Sequence, residues 1–273
     1  MTMLIEQGTP QQALKGLVEV EDLSICFQRK GQLIPVLESI DFTIAPGEFV
    51  CLLGPSGCGK STILNAIAGF IKPYSGSVTV DRKRIVRPGA DRGFVFQQYS
   101  LLPWKTTFQN VEFGLKIQGI PAAKRKEIVN YYLNRVGLYK HRNSYPYQLS
   151  GGMQQRASII RALVNSPSVL LMDEPFAALD AQTRHMMQEL LLDIWSELKA
   201  TVIFVTHDIE EAVFLSDRIF VMGVNPGRIK QIVDVPLERP RHIDIMVTSE
   251  FLQLNREVFE LIREETLKSM ELS

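Results

Sequence analysis

Cysteine is scarce in this sequence: Cys26, Cys51 and Cys58 are the three among 273 residues. An odd number without Cys-x-x-Cys or Cys/His ligand spacing argues against a disulfide framework or a thiolate zinc site and points to a reducing compartment. Charge of one sign is also lacking, since 30 Lys and Arg balance 30 Asp and Glu. That balance gives nucleic acid no footing as a partner. Long apolar runs are missing too. Stretches such as 169–172 are far too short to cross a bilayer, and the first sixteen residues lack the basic start and apolar run of a secretion signal. Membrane attachment is therefore expected only through another subunit. No solenoid-period repeat and no low-complexity tract occurs, so a single α/β unit is expected.

What is present is alternation of strand and helix. Residues 1–16, with a polar run around Gln11 and Gln12, read as a flexible tail, and folding is expected to begin near Leu17. Residues 18–27 and 36–44 alternate apolar and polar like half-buried strands, and 49–53 is a continuous apolar run like a buried one. A Gly-rich turn then leads into a helical pattern at 61–68, closed by Gly69. Short strands are expected at 77–80 and 93–96, followed by a helical insertion over about 100–165. Strands at 169–172, 202–206 and 218–222, with helices at 182–198 and 209–215 between them, predict a mostly parallel sheet. The main unit is thus 17–248. In 249–273, Phe251, Leu254, Val258, Leu261 and Ile262 fall on one face of an amphipathic closing helix, too short for an added regulatory domain. Truncation at Pro240 is expected to leave ATPase coupling intact.

Gly54-Pro55-Ser56-Gly57-Cys58-Gly59-Lys60-Ser61-Thr62 fits G-x-x-x-x-G-K-[ST] and lies between a buried strand and a helix, the context a phosphate loop requires. Its glycines let backbone N–H groups surround phosphate oxygens, Lys60 reaches the β/γ-phosphates, and Ser61 offers a hydroxyl to Mg2+. The motif alone does not separate GTPases, kinases, helicases and transport ATPases. A second anion-binding device is Ser150-Gly151-Gly152, where a Ser and two Gly before a helical run expose N–H groups; an ordinary helix cap is the alternative.

Leu149-Ser150-Gly151-Gly152-Met153-Gln154-Gln155-Arg156 resembles the signature of the ABC ATPase family. In family order, Gln97 resembles its Q-loop, Leu170-Leu171-Met172-Asp173-Glu174-Pro175 its Walker B, Ala178-Leu179-Asp180 its D-loop, and His207 its switch histidine. The set spans about 18–235. Two positions depart from the common pattern: Met153 stands where Gln is usual, and Ala177 where Ser or Gly is frequent. The resemblance implies a P-loop core, an antiparallel β subdomain and a helical subdomain carrying the signature. It also implies ATP and Mg2+ as cofactors, and sites completed by a second cassette whose Ser150, Gly151 and Gly152 meet the ATP held by the first. Glu174 would act as general base, Asp173, Ser61 and Gln97 would serve the metal, His207 would touch the γ-phosphate, and Asp180 would join the nucleotide interface. Phe27 matches the adenine-stacking position, with core packing as its rival.

No coiled-coil insertion of repair-type members and no second cassette of translation-type members is present, although a soluble non-transport ABC ATPase remains the alternative. Pro88-Gly89-Ala90-Asp91-Arg92-Gly93, Leu101-Leu102-Pro103-Trp104 and Arg239-Pro240-Arg241 resemble the nitrate/sulfonate/taurine importer branch. That resemblance implies a peripheral ATPase on the cytoplasmic face of the inner membrane, with a second ATPase subunit, two transmembrane permease subunits and, indirectly, a solute-binding protein. The segment 99–119 is expected to dock the membrane subunit through Leu101, Leu102 and Trp104, unless these form a buried cluster.

Overall fold

The computed structural model describes residues 15–29 and 31–271. The expected tail lies, for residues 1–14, outside the described residues. Gly16 is already tied to the fold: its N–H donates to Asp81 Oδ1 at 2.8 Å and its carbonyl accepts from the Thr201 hydroxyl at 2.7 Å.

Two sheets form. Strands β1 (Val18–Arg29), β2 (Gln32–Ile44), β4 (Ser75–Val80) and β5 (Lys83–Arg84) make an antiparallel sheet in the order β2-β1-β4-β5. The second sheet holds β3 (Phe49–Leu53), β6 (Arg92–Val95), β7 (Val169–Asp173), β8 (Thr201–Thr206), β9 (Arg218–Gly223) and β10 (Arg228–Asp234), in the order β10-β9-β3-β8-β7-β6. Every pairing in it is parallel except β9 with β10. The expected α/β class, antiparallel sheet and helical insertion are all present.

Strand periodicity divides the core. Val50, Leu52, Leu171, Ile203, Val205 and Phe220 point to one face, where helix α1 (Lys60–Ala68) and the inner side of the antiparallel sheet cover them. Their neighbours Cys51, Leu53, Leu170, Met172, Phe204 and Val221 point to the other face. That face is covered by α2 (Thr107–Ile117), α3 (Ala122–Arg135), α4 (Gly151–Leu163), α5 (Ala181–Leu198), α6 (Ile209–Leu215) and α7 (Ser249–Glu271). Burial on both faces is why β3, β7 and β8 read as unbroken apolar runs. Each buried aliphatic or aromatic side chain contributes on the order of 1.5–3 kcal/mol.

Helix starts follow from local chemistry. Thr106 and Gln109 form a capping box at α2, and Asp180 and Asp208 accept first-turn N–H groups at α5 and α6. In α7, Phe251 and Val258 are buried and Leu254, Leu261 and Ile262 partly so, as the apolar face required.

The C-terminal segment does more than close the fold. Arg241, buried, donates to the carbonyls of Val213, Phe214 and Ser216 at the end of α6 and to those of Val235 and Leu237. Truncation at Pro240 would remove this cap together with Phe251 and Val258, so the expected tolerance to that cut conflicts with the packing. Trp104 is 70% exposed, which removes the buried-cluster reading for it, whereas Leu101 is half-buried against the core and Leu102 half-buried.

Candidate functional site

Because β3, β8, β7 and β6 run parallel, their carboxyl ends share one edge, and the segments leaving that edge carry the loop after Leu53, Gln97, Asp173, Glu174 and His207. The phosphate loop enters α1 through Gly59, with φ of 96°. A Cβ there would stand 2.4 Å from Leu37 Cδ2, so only glycine lets the turn press against β2. Gly54, Pro55, Ser56, Gly57 and Cys58 form the arch before it, and the first-turn N–H groups of α1, those of Ser61 and Thr62 among them, have no helical acceptors. Lys60 is 6% exposed and folds over the arch, its Nζ donating to the carbonyls of Gly54 at 2.8 Å and Pro55 at 3.0 Å. Cys58 is buried against it, and burial pushes the thiol pKa up.

Two small clusters sit beside the loop. In one, the Ser61 hydroxyl donates to Asp173 Oδ1 at 3.0 Å. Burial raises the pKa of Asp173, the Ser61 bond opposes that shift, and the neighbouring Glu174 charge adds to it. In the other, Glu174 Oε2 lies 3.3 Å from Gln97 Nε2 and 3.3 Å from His207 Nδ1. Glu174 has φ of 44°, a left-handed conformation costing about 1–3 kcal/mol for a non-glycine residue. It turns the chain straight out of β7, so that Asp173 meets Ser61 while Glu174 meets Gln97 and His207.

A charged network without a sequence motif holds the histidine loop. Thr206 Oγ1 donates to Glu211 Oε2 at 2.7 Å and accepts from Asp208 N–H at 3.0 Å, fixing both neighbours of His207. Gln188 donates to Glu211 Oε1 at 3.1 Å, and Arg184 pairs with Asp208 at 3.4 Å. Glu211 escaped the sequence reading because it sits in a short helix whose second Glu looks like surface charge.

The second anion device is an N-terminus. Ser150 caps α4, its Oγ accepting from Met153 N–H at 3.4 Å. A Cβ on Gly151 would fall 2.7 Å from the Tyr99 hydroxyl, and one on Gly152 would fall 3.3 Å from Thr183 Cγ2. Asp180 accepts from Thr183 N–H at 3.0 Å, which holds its carboxyl below the ordinary range. These residues lie together, but among the described residues no hydrogen bond joins Ser150, Gly151, Gly152 or Asp180 to the phosphate loop. Gln155 of α4 does reach across, donating to the carbonyl of Pro175 next to Glu174. Phe27 is 44% exposed, so its ring is available to a ligand and is not core packing.

Ser61 Oγ and Asp173 Oδ1 are hard oxygen donors, as Mg2+ prefers. Among the described residues no group of three His, Cys, Asp or Glu side chains could hold a metal, so a cation here would need phosphate oxygens to complete its shell.

The family described as ABC transporter matches residues 37–177. An uncharacterized ABC transporter ATP-binding protein of Methanocaldococcus jannaschii is 49% identical over 257 residues, covering 94% of this chain and 95% of its own. The nitrate import ATP-binding protein of Synechocystis sp. is 47% identical, covering 90% and 95%, and the taurine import ATP-binding protein of Chromobacterium violaceum is 49% identical, covering 77% and 80%. A dimeric ATP-binding cassette solved in a post-hydrolysis state with ADP and Pi superposes with a TM-score of 0.73 at 33% identity, over 81% of this chain and 100% of that one. With the phosphate loop, the acidic strand end and the capped signature helix in place on a matching fold, this chain belongs to the ABC transporter family.

Proposed function

We propose that the chain is the ATP-hydrolysing subunit of an importer for a small anion of the nitrate, bicarbonate, sulfonate or taurine class, active as a face-to-face pair of cassettes. The observation that carries the catalytic reading is Glu174 Oε2 standing 3.3 Å from both Gln97 and His207, beside the Ser61–Asp173 pair. Two of the relatives described above, the nitrate and taurine proteins, are import ATP-binding proteins, and none of the four favours a non-transport ATPase.

In this reading ATP lies on the loop, its adenine against Phe27, and Lys60 exchanges the Gly54 and Pro55 carbonyls for phosphate oxygens. Glu174 accepts the proton of the attacking water, while Gln97 and His207 hold that carboxylate and approach the γ-phosphate. Ser61 and Asp173, with Gln97 nearby, would hold Mg2+, which when bound neutralises charge on the phosphate oxygens. Ser150, Gly151 and Gly152 of the second cassette close over the same triphosphate with the N-terminus of α4, and Asp180 lines the seam.

Among the described residues no helix is long and apolar enough to cross a membrane. Coupling therefore runs through docking to two permease subunits at the cytoplasmic face, with a solute-binding protein delivering the anion. An open groove of about 420 Å³, lined by Phe94, Leu102, Phe113 and Ile117, together with the exposed Trp104, supports a helix of the membrane subunit as its occupant. Reconstitution of Glu174→Gln with its permease tests the catalytic core. ATP binding should persist while turnover falls by about 10²–10⁴-fold; substantial residual hydrolysis would remove Glu174 from the role.

A further inference from the structure

Nucleotide chemistry occupies the carboxyl ends of the core strands and leaves the amino ends unused. Pro88-Gly89-Ala90-Asp91-Arg92 leads into the amino end of β6, and the Asp91 carbonyl accepts from Ser168 and Val169 N–H at the amino end of β7. Between this corner and the short strand β5 runs a cleft of about 840 Å³, lined by Lys83, Arg84, Arg87 and Arg92 and by the carboxylates of Asp81 and Asp91. A second hollow of about 640 Å³, which shares Arg84 and adds Lys72, continues it along the antiparallel sheet.

The charge on this surface is unbalanced even though the chain as a whole is neutral. Both carboxylates already have donors: Asp81 accepts from Gly16 and Leu17 N–H, and Asp91, its side chain 46% exposed, accepts from Arg92. Among the described residues, Lys72, Lys83, Arg84 and Arg87 have no carboxylate at ion-pair distance, Arg84 touching only the Gly76 carbonyl at 3.3 Å. Beneath them Arg92, its side chain 5% exposed, forms a fixed floor. It bonds Asp91 Oδ2 at 2.6 Å and the Arg87 carbonyl at 2.8 Å, while its Nε has no partner. Unpaired cations gathered in one concavity raise the local concentration of anions, and arginine forks favour phosphate oxygens.

We infer that this cleft is a binding site, separate from the nucleotide site, for a phosphate-bearing organic anion with more than one negative charge. A monoanion the size of nitrate would leave most of the volume empty and most of the cations unpaired. The ligand can be a free phosphorylated metabolite or the headgroup of an acidic lipid, since the recognising chemistry is the same.

The test uses the full chain saturated with ADP, so that the phosphate loop is occupied. Fructose 1,6-bisphosphate is titrated calorimetrically, and cardiolipin-containing vesicles, whose headgroup carries two phosphates, are compared with phosphatidylcholine vesicles by flotation. Binding of either phosphate source, weakened by salt and lowered at least about tenfold in Arg84→Gln/Arg87→Gln with ATPase activity unchanged, supports the site, and the arm that responds identifies the source. Lys83→Glu, a single reversal on an exposed side chain, should produce the same loss. Absence of binding in both arms, or binding that survives both variants, overturns the inference.

Discussion

At the scale of single residues, the site depends on side chains whose environments oppose their charge. Glu211 is buried, and burial is the largest cause of its raised pKa. The folded chain therefore takes up a proton that the unfolded chain releases. This contribution to stability is complete below the ordinary value of 4.5 and is lost as pH rises through the higher folded value. A neutral Glu211 also has an acceptor to hand, because Gln188 Oε1 is buried without a partner. Glu211→Gln should accordingly show no such loss as pH rises above about 4.5, measured as urea midpoints across a pH series; parallel profiles for the two proteins would contradict the assignment. Glu211→Leu, which removes the acceptor of the Thr206 hydroxyl that in turn holds Asp208 N–H beside His207, should lower turnover about tenfold with ATP binding retained, as steady-state and filter-binding assays would read. His207 itself is 61% exposed at the side chain, so its placement comes from these neighbours and not from packing.

At the scale of elements, legibility followed burial. Strands β3, β7 and β8 were readable because both faces are covered, and α1 because a glycine turn precedes it and Gly69 ends it. Strand β10 was not, because in Arg228–Asp234 only Val233 is buried and the other side chains give no alternation. The site residues were legible as motifs, whereas Glu211 and Arg241 were not. A buried charge is defined by the carbonyls and hydroxyls around it, and those come from distant parts of the chain. For Arg241, burial and the nearby Arg239 lower the pKa to about 10, so it stays cationic at neutral pH while holding the last carbonyls of α6. Arg241→Met should cost about 3 kcal/mol in denaturant unfolding, since those carbonyls lose a charged donor. A chain ending at residue 248 keeps Arg241 but uncovers the buried sites of Phe251 and Val258, about 1.5–3 kcal/mol for each side chain removed. A chain ending at residue 240 should therefore melt lower still.

At the scale of the whole molecule, the proposed function gives one chain two halves of different sites. In that reading the phosphate loop and the Ser150 N-terminus each bind anions, yet among the described residues no hydrogen bond joins them. Mixing Lys60→Ala chains with Ser150→Arg chains should restore ATPase activity that neither has alone, because a mixed pair assembles one site from two intact halves. Failure of the mixture, with dimers demonstrably formed, would mean that each chain works on its own halves. The way Lys60 waits has a further consequence. Its ammonium already has two carbonyl acceptors at 2.8 and 3.0 Å, so an arriving triphosphate displaces existing partners and does not fill a vacuum. Affinity then measures only the difference between two sets of bonds, and a lone P-loop can release spent nucleotide without ever stranding a naked cation in its interior.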